Sequence, residues 1–154
     1  MKNKDVNYFK LQAKNLYRDY QTKQDYVDDV DGNTYYQYSP KYFDIDQLFV
    51  DFDWDEDDFS LMKAQHLISN MVGFNKWADL LKAKPEELEL AHLLLDNQEK
   101  IDLEGWNMYI ARIEYDNHVV LDPASKLEIF KKVFLEEEGH HSPFPPYKLS
   151  QKEI

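Results

Sequence analysis

Carboxylates dominate the chemistry open to this chain. Twelve of them, on Asp25, Asp28, Asp29, Asp31, Asp44, Asp46, Asp51, Asp53, Asp55, Glu56, Asp57 and Asp58, fall between residues 25 and 58. Lys41 is the one base among them, so this stretch has a net charge of −11 within a chain of −12. Nine aromatics, from Tyr26 to Trp54, are interspersed with the acids. Carboxylates at this density can hold a divalent cation, move a proton, imitate a polyanion or steer a cationic partner. Spacing separates these options.

A calcium loop needs Asp at alternate positions, Gly at the sixth and a bidentate Glu at the twelfth. With Gly32 at the sixth, the first position is Val27 and the twelfth Tyr38, so the pattern fails at both ends. Only weak, adventitious divalent binding around residues 53–58 is left, and no metal or other cofactor is expected. Histidine adds little. His66, His92, His118, His140 and His141 form no His-x-x-x-His pair of the zinc-binding kind. His66 and His92 fall in expected helices, where a histidine at the core edge is the ordinary case. With no cysteine there is no thiol nucleophile and no disulfide framework. No Gly-x-Ser-x-Gly, P-loop or dinucleotide pattern occurs, and no spacing singles out an acid and a base. A non-enzyme is therefore expected.

Polyanion mimicry is a sharper idea. Duplex DNA carries one charge per roughly 1.7 Å of axis, whereas alternate residues of a strand repeat at about 6.7 Å. One row of Asp51, Asp53 and Asp55 is too sparse, and Asp25, Asp28, Asp29 and Asp31 would have to supply a second. The simpler use of such a surface is to steer a basic protein, with aromatics as anchors. The candidate partner-binding residues are Asp28, Asp29, Asp31, Tyr36, Tyr38, Asp51, Asp53, Trp54, Asp55 and Glu56. A solvated acidic face that only keeps the protein soluble is the bland alternative.

These residues need elements to position them. A stripe of Phe9, Ala13, Leu16, Tyr17 and Tyr20 predicts a first helix over about 6–21. Lys10, Lys14 and Arg18 line another of its faces, and residues 1–24 sum to +4. Asp31-Gly32-Asn33 between β-rich segments reads as a hairpin, with Tyr36 and Tyr38 on one face and Tyr35 on the other. Alternation over 49–55 predicts an edge strand, its acids facing one way and Val50, Phe52 and Trp54 the other. A helix capped by Asp55 is expected to reach Val72 and stop at Gly73, and a short one to follow from an Asn75 cap through Lys82. Pro85 starts another to about Asp96, Asp102 caps the next, and Asp122-Pro123 begins a last one that stops at Gly139. The tail, 140–154, has three prolines and is expected to be loosely attached.

One segment has a family look. Residues 63–80 comprise an apolar helix followed by Gly73-Phe74-x-x-Trp77-x-x-Leu80. This resembles the small bacterial module called glyoxalase-related, over about 63–82. The resemblance implies a packed helical pair and brings no catalytic residue with it. The same pair could be read as a DNA-binding helix-turn-helix, since Lys63, Lys76, Lys82 and Lys84 make it locally positive. The adjoining acidic stretch would repel phosphate, which disfavours direct nucleic-acid binding.

Together these readings predict one mainly α domain of five to six helices over 1–139, with a small hairpin or edge strand near 26–54 and an acidic aromatic insertion at 25–58. No apolar run spans a membrane, and the first residues have no secretory h-region, so a cytoplasmic location is expected. The expected role is that of an acidic inhibitor, of the immunity-protein, antitoxin or phage-borne kind, covering a basic nucleic-acid-handling protein. A nucleic-acid-binding regulator and an enzyme with an unrecognised carboxylate site are the alternatives.

Overall fold

Helix α1, Lys2–Tyr20, forms on the predicted stripe, with Phe9, Ala13 and Leu16 wholly buried. The chain, a computed structural model, is described over residues 2–149. After α1 come strands β1, Gln24–Val27, and β2, Thr34–Gln37, paired antiparallel so that Asp25 faces Tyr36 and Tyr26 faces Tyr35. Then follow α2, Ile45–Phe52; α3, Leu61–Met71; α4, Trp77–Lys82; α5, Pro85–Asp96; α6, Leu103–Asn117; and α7, Pro123–Phe130. Helix α7 runs on into a π turn, Lys131–Leu135. The architecture is mainly helical with one small antiparallel sheet, in a single compact domain.

Helix α5 divides the interior. Its Leu88, Ala91 and Leu95 join a cluster with α1, α2 and α3, and its Leu90 and Leu94 join a second with α6 and α7. Several starts and stops follow the sequence. Asp102 and Asp122 cap α6 and α7 by accepting the backbone N–H of Gly105 and Ser125, and Pro85 occupies the first turn of α5. Gly73 ends α3 with φ +96°, and the Phe74 N–H closes the turn on the Ser69 carbonyl at 2.9 Å.

The expected edge strand at 49–55 is a helix instead. Ile45, Leu48 and Phe49 are buried at helical spacing, Asp44 caps the Gln47 N–H, and Asp53 closes α2 in the left-handed region at φ 55°. Val50, placed on the apolar side by the alternation, faces solvent, whereas Phe49, placed on the acidic side, is buried. Burial of the helical face decided between two periodicities written over the same residues. Helix α2 brings the α-helices among the described residues to seven, where five to six were expected.

Three smaller boundaries differ. Ser60 caps α3, and residues 55–58 form turns ahead of it. Lys76 occupies the N-cap of α4, whose Trp77 N–H instead meets His66 Nδ1 at 3.4 Å. Helical structure ends at Leu135, short of Gly139.

The segment expected to hang loosely is docked through residue 149; residues 150–154 lie outside the described residues. Lys148 bridges antiparallel to Phe43, the Leu149 N–H donates to the Tyr42 carbonyl at 2.8 Å, and the Asp44 N–H donates to the Tyr147 carbonyl at 2.8 Å. Gln98 accepts the N–H groups of Tyr147 and Lys148 at 2.9 and 3.0 Å.

One buried carboxylate organises this region. Asp19 is 1% exposed and lies in the last turn of α1, where the helix dipole disfavours an anion. It accepts three backbone N–H groups, from Lys41 at 2.9 Å and from Tyr42 and Phe43 at 2.8 Å each. Without an acceptor there, three backbone donors would lose their partner, that of Phe43 in a buried setting and the other two part-buried. Asp19→Ala should therefore cost about 3 kcal/mol or more in urea unfolding. Asp29→Ala, at an exposed turn, should change stability by no more than about 0.5 kcal/mol.

Candidate functional site

The hairpin is where the acidic and aromatic residues meet. Two strands alone are marginal in water, so the hairpin needs an anchor. Its inner face supplies one. Tyr36 donates to Asp57, Tyr38 donates to Glu56 at 2.8 Å, and the Lys23 ammonium lies 4.2 Å from the Tyr36 ring centroid while bonding the Glu56 carbonyl at 2.9 Å. Tyr38 is core, stacked on Phe49. The hydrogen bond to Asp57 raises the Tyr36 phenol to about 12, and neighbouring Asp57, Asp25 and Glu56 charges add to the shift. Burial first, then the bond to Glu56, raises the Tyr38 phenol as well.

The outer face is open. Tyr26 and Tyr35 sit side by side across the strands, their centroids 5.9 Å apart, and both are exposed with Val27. Val30 at the tip is 95% exposed. Asp28 accepts the Val30 N–H at 2.7 Å, and Asp31 accepts the Asn33 N–H at 2.9 Å together with the Tyr35 hydroxyl. Those bonds, Tyr35 foremost, lower the Asp31 pKa from its ordinary value. Asp25 and Asp29 are exposed on the same finger.

The ten residues expected at the partner surface thus separate. Asp28, Asp29 and Asp31 cluster at the hairpin turn. Tyr36 and Tyr38 anchor the hairpin from inside, and Trp54 is half-buried, edge-on to Phe59 at 5.7 Å. Glu56 is committed to Tyr38, and Asp55 accepts the Asp57 N–H at 2.9 Å. Asp53 is the left-handed residue after α2, and Asp51, on α2, accepts Gln47 and the Tyr147 hydroxyl at 2.7 and 2.6 Å. Asp51, Asp53 and Asp55 form no row, because the strand that would align them is a helix and a turn. Tyr26 and Tyr35, which the structure exposes on the outer face, were not among the ten. Their register opposite each other in the hairpin is the signal that finds them.

A second cluster joins α1, α5 and the C-terminal segment. His92 lies between two carboxylates, with Nδ1 2.9 Å from Asp5 and Nε2 3.1 Å from Asp96. The Tyr8 ring stacks on the imidazole at 3.5 Å, and Tyr8 and Lys148 both donate to Asp96. Asp5 fell on the buried stripe of α1, four residues before Phe9, and that position was the overlooked signal. With both ring nitrogens engaged, His92 has none left for a substrate, and the cluster works as a clasp. Glu89, three residues before His92, pairs with Lys131 at 2.6 Å instead.

The candidate DNA-reading pair α3 and α4 is less basic than its sequence. Lys63 is ion-paired to Asp58 at 2.6 Å, and α4 spans only Trp77–Lys82. Among the described residues, no helix is long and apolar enough to cross a membrane. No family model, curated protein or solved structure matches the chain.

The clasp has a pH signature. Burial alone would lower the His92 pKa, but the bonds to Asp96 and Asp5 outweigh it, and the net shift is upward from 6.5. Its stabilisation is therefore complete below 6.5 and is lost as pH rises through the higher folded value. Asp96 behaves oppositely. Burial raises its pKa, but His92, Lys148 and Tyr8 together depress it from 3.8, so its contribution is present above 3.8 and lost on acidification below that. Thermal stability should decline as pH rises above 6.5 in the native chain, with a clearly smaller decline in His92→Gln. Equal slopes in the two proteins would remove His92 from the account.

Proposed function

We propose that the protein is a non-enzymatic binding protein whose acidic hairpin docks on a basic surface of another protein. In its concrete form it inhibits a nucleic-acid-handling protein by covering the basic surface that would hold the polyanion. One observation carries this reading: the exposed Tyr26–Tyr35 pair on the outer hairpin face, flanked by Asp25, Asp28, Asp29 and Asp31. Carboxylates there accelerate encounter with a cationic surface, and two rings plus Val27 supply desolvated area that slows escape. The inner-face bonds hold the finger in advance, which lowers the ordering cost of association.

Affinity capture from the source cell, at low and high salt, provides the partner for testing. Tyr26→Ala with Tyr35→Ala should raise the Kd for the captured basic protein by at least about tenfold without lowering the melting temperature. Tyr38→Ala should instead destabilise the fold by roughly 3 kcal/mol and leave binding per folded molecule unchanged. Asp28→Asn with Asp29→Asn should flatten the salt dependence of association. Tight retention of DNA or RNA by the native chain, lost in Lys10→Gln with Lys14→Gln and Arg18→Gln, would overturn the proposal in favour of a nucleic-acid regulator.

A further inference from the structure

A cavity of about 610 Å³ opens on the side where α2, α3, α5 and the start of α6 meet the C-terminal segment. Its walls are Phe52, Met71, Leu94 and Leu103, and Phe144, Pro145, Pro146 and Tyr147 cross it as a strap. The volume lies within the range of small-molecule sites, and the surface is mainly apolar, as such sites are.

Three acids, Asp51, Asp102 and Glu104, also line this space, together with Gln47 and Gln98, and among the described residues no lysine, arginine or histidine does. Two of the acids are held rigidly. Asp51 is fixed by Gln47 and the Tyr147 hydroxyl, and Asp102 by the Gly105 N–H at 3.1 Å and the Ser142 hydroxyl at 2.9 Å. Glu104 is exposed, and among the described residues its carboxylate has no hydrogen-bond or ion-pair partner. The aromatic content points the same way, since Phe52 packs against Tyr147 at 5.7 Å between centroids, and such ring faces attract cations. Among the described residues, no three acidic or histidine side chains converge closely enough to hold a metal ion. Charge spread along an apolar wall suits an extended organic cation better than a compact one.

We propose that this cavity binds a small organic cation, an ammonium carried on a flat apolar body, with the body between Phe52, Leu94, Leu103 and Phe144 and the ammonium at Glu104, the bonded Asp51 and Asp102 adding negative charge to the lining. The strap closes one side of the site. Its Tyr147 hydroxyl donates to Asp51 and so couples the wall to the charged edge, while Gln98 pins its backbone. The site is separate from the hairpin and stands or falls independently of the docking proposal.

Three probes of matched shape and different charge test it: phenylbutylammonium, phenylbutanol and phenylbutyrate, each titrated into the full chain by calorimetry and by amide chemical shifts. The cation should bind at least about tenfold more tightly than the alcohol, and the anion most weakly. Its shifts should centre on Leu103, Glu104, Phe144 and Tyr147. Glu104→Gln, at an exposed position without bonded partners, should cut the preference for cation over alcohol several-fold. Phe144→Ala should weaken cation and alcohol alike. Equal binding of the three probes, shifts centred elsewhere, or a charge preference undiminished in Glu104→Gln would each overturn the proposal.

Discussion

The Asp19 carboxylate is the constraint on which the surface of this protein depends. An anion enclosed at the C-terminal end of a helix is unfavourable by both desolvation and dipole. Its stabilisation comes from three backbone N–H groups of residues 41–43. That arrangement turns an irregular connector into a rigid one. Thr22 extends it, donating to the Asp19 carbonyl at 2.6 Å and accepting the Ser39 N–H at 2.8 Å, so both ends of the hairpin are tied to the end of α1.

Both proposed sites hang from this connector. On one side, the hairpin emerges with its inner tyrosines bonded to Glu56 and Asp57, which leaves Tyr26 and Tyr35 to face outward. On the other, Tyr42, Phe43 and Asp44 pair with residues 147–149, and that pairing seats the strap over the cavity. The His92 clasp secures the same strap from below through Lys148 and Asp96. The twelve acids of residues 25–58 therefore have unlike roles. Some, such as Asp44, Asp55 and Glu56, are caps and acceptors within the fold, whereas Asp25, Asp28, Asp29 and Asp31 are carried on the hairpin.

Much of the helical frame was legible in the sequence because local chemistry decides it. The caps at Asp102 and Asp122, Pro85 in a first turn and Gly73 in a left-handed turn act within a few residues. Residues 49–55 were misread because they carry two apolar periods, and only the location of the core selects one. Asp5 and Asp19 were invisible for a related reason. Each lies at a helical interval from buried positions, but a carboxylate on an apolar stripe signals a partner whose identity is set by tertiary contacts. The hairpin tyrosines were correctly divided between two faces, and packing against residues 55–58 chose the outward one. The strap's docking also rests on long-range pairing, of Lys148 with Phe43, which proline content could not foretell.

The organising role of Asp19 is open to direct measurement by amide hydrogen exchange on the native chain. Residues 41–43 lie outside the helices and strands, with only an isolated bridge at Phe43, and such backbone ordinarily exchanges quickly. If the buried carboxylate holds them, the amides of Tyr42 and Phe43 should exchange as slowly as those of Leu67 and Ile68 within α3. Exchange as fast as that of Asp29 at the exposed hairpin turn would contradict the account, because hairpin and strap would then have no common rigid support.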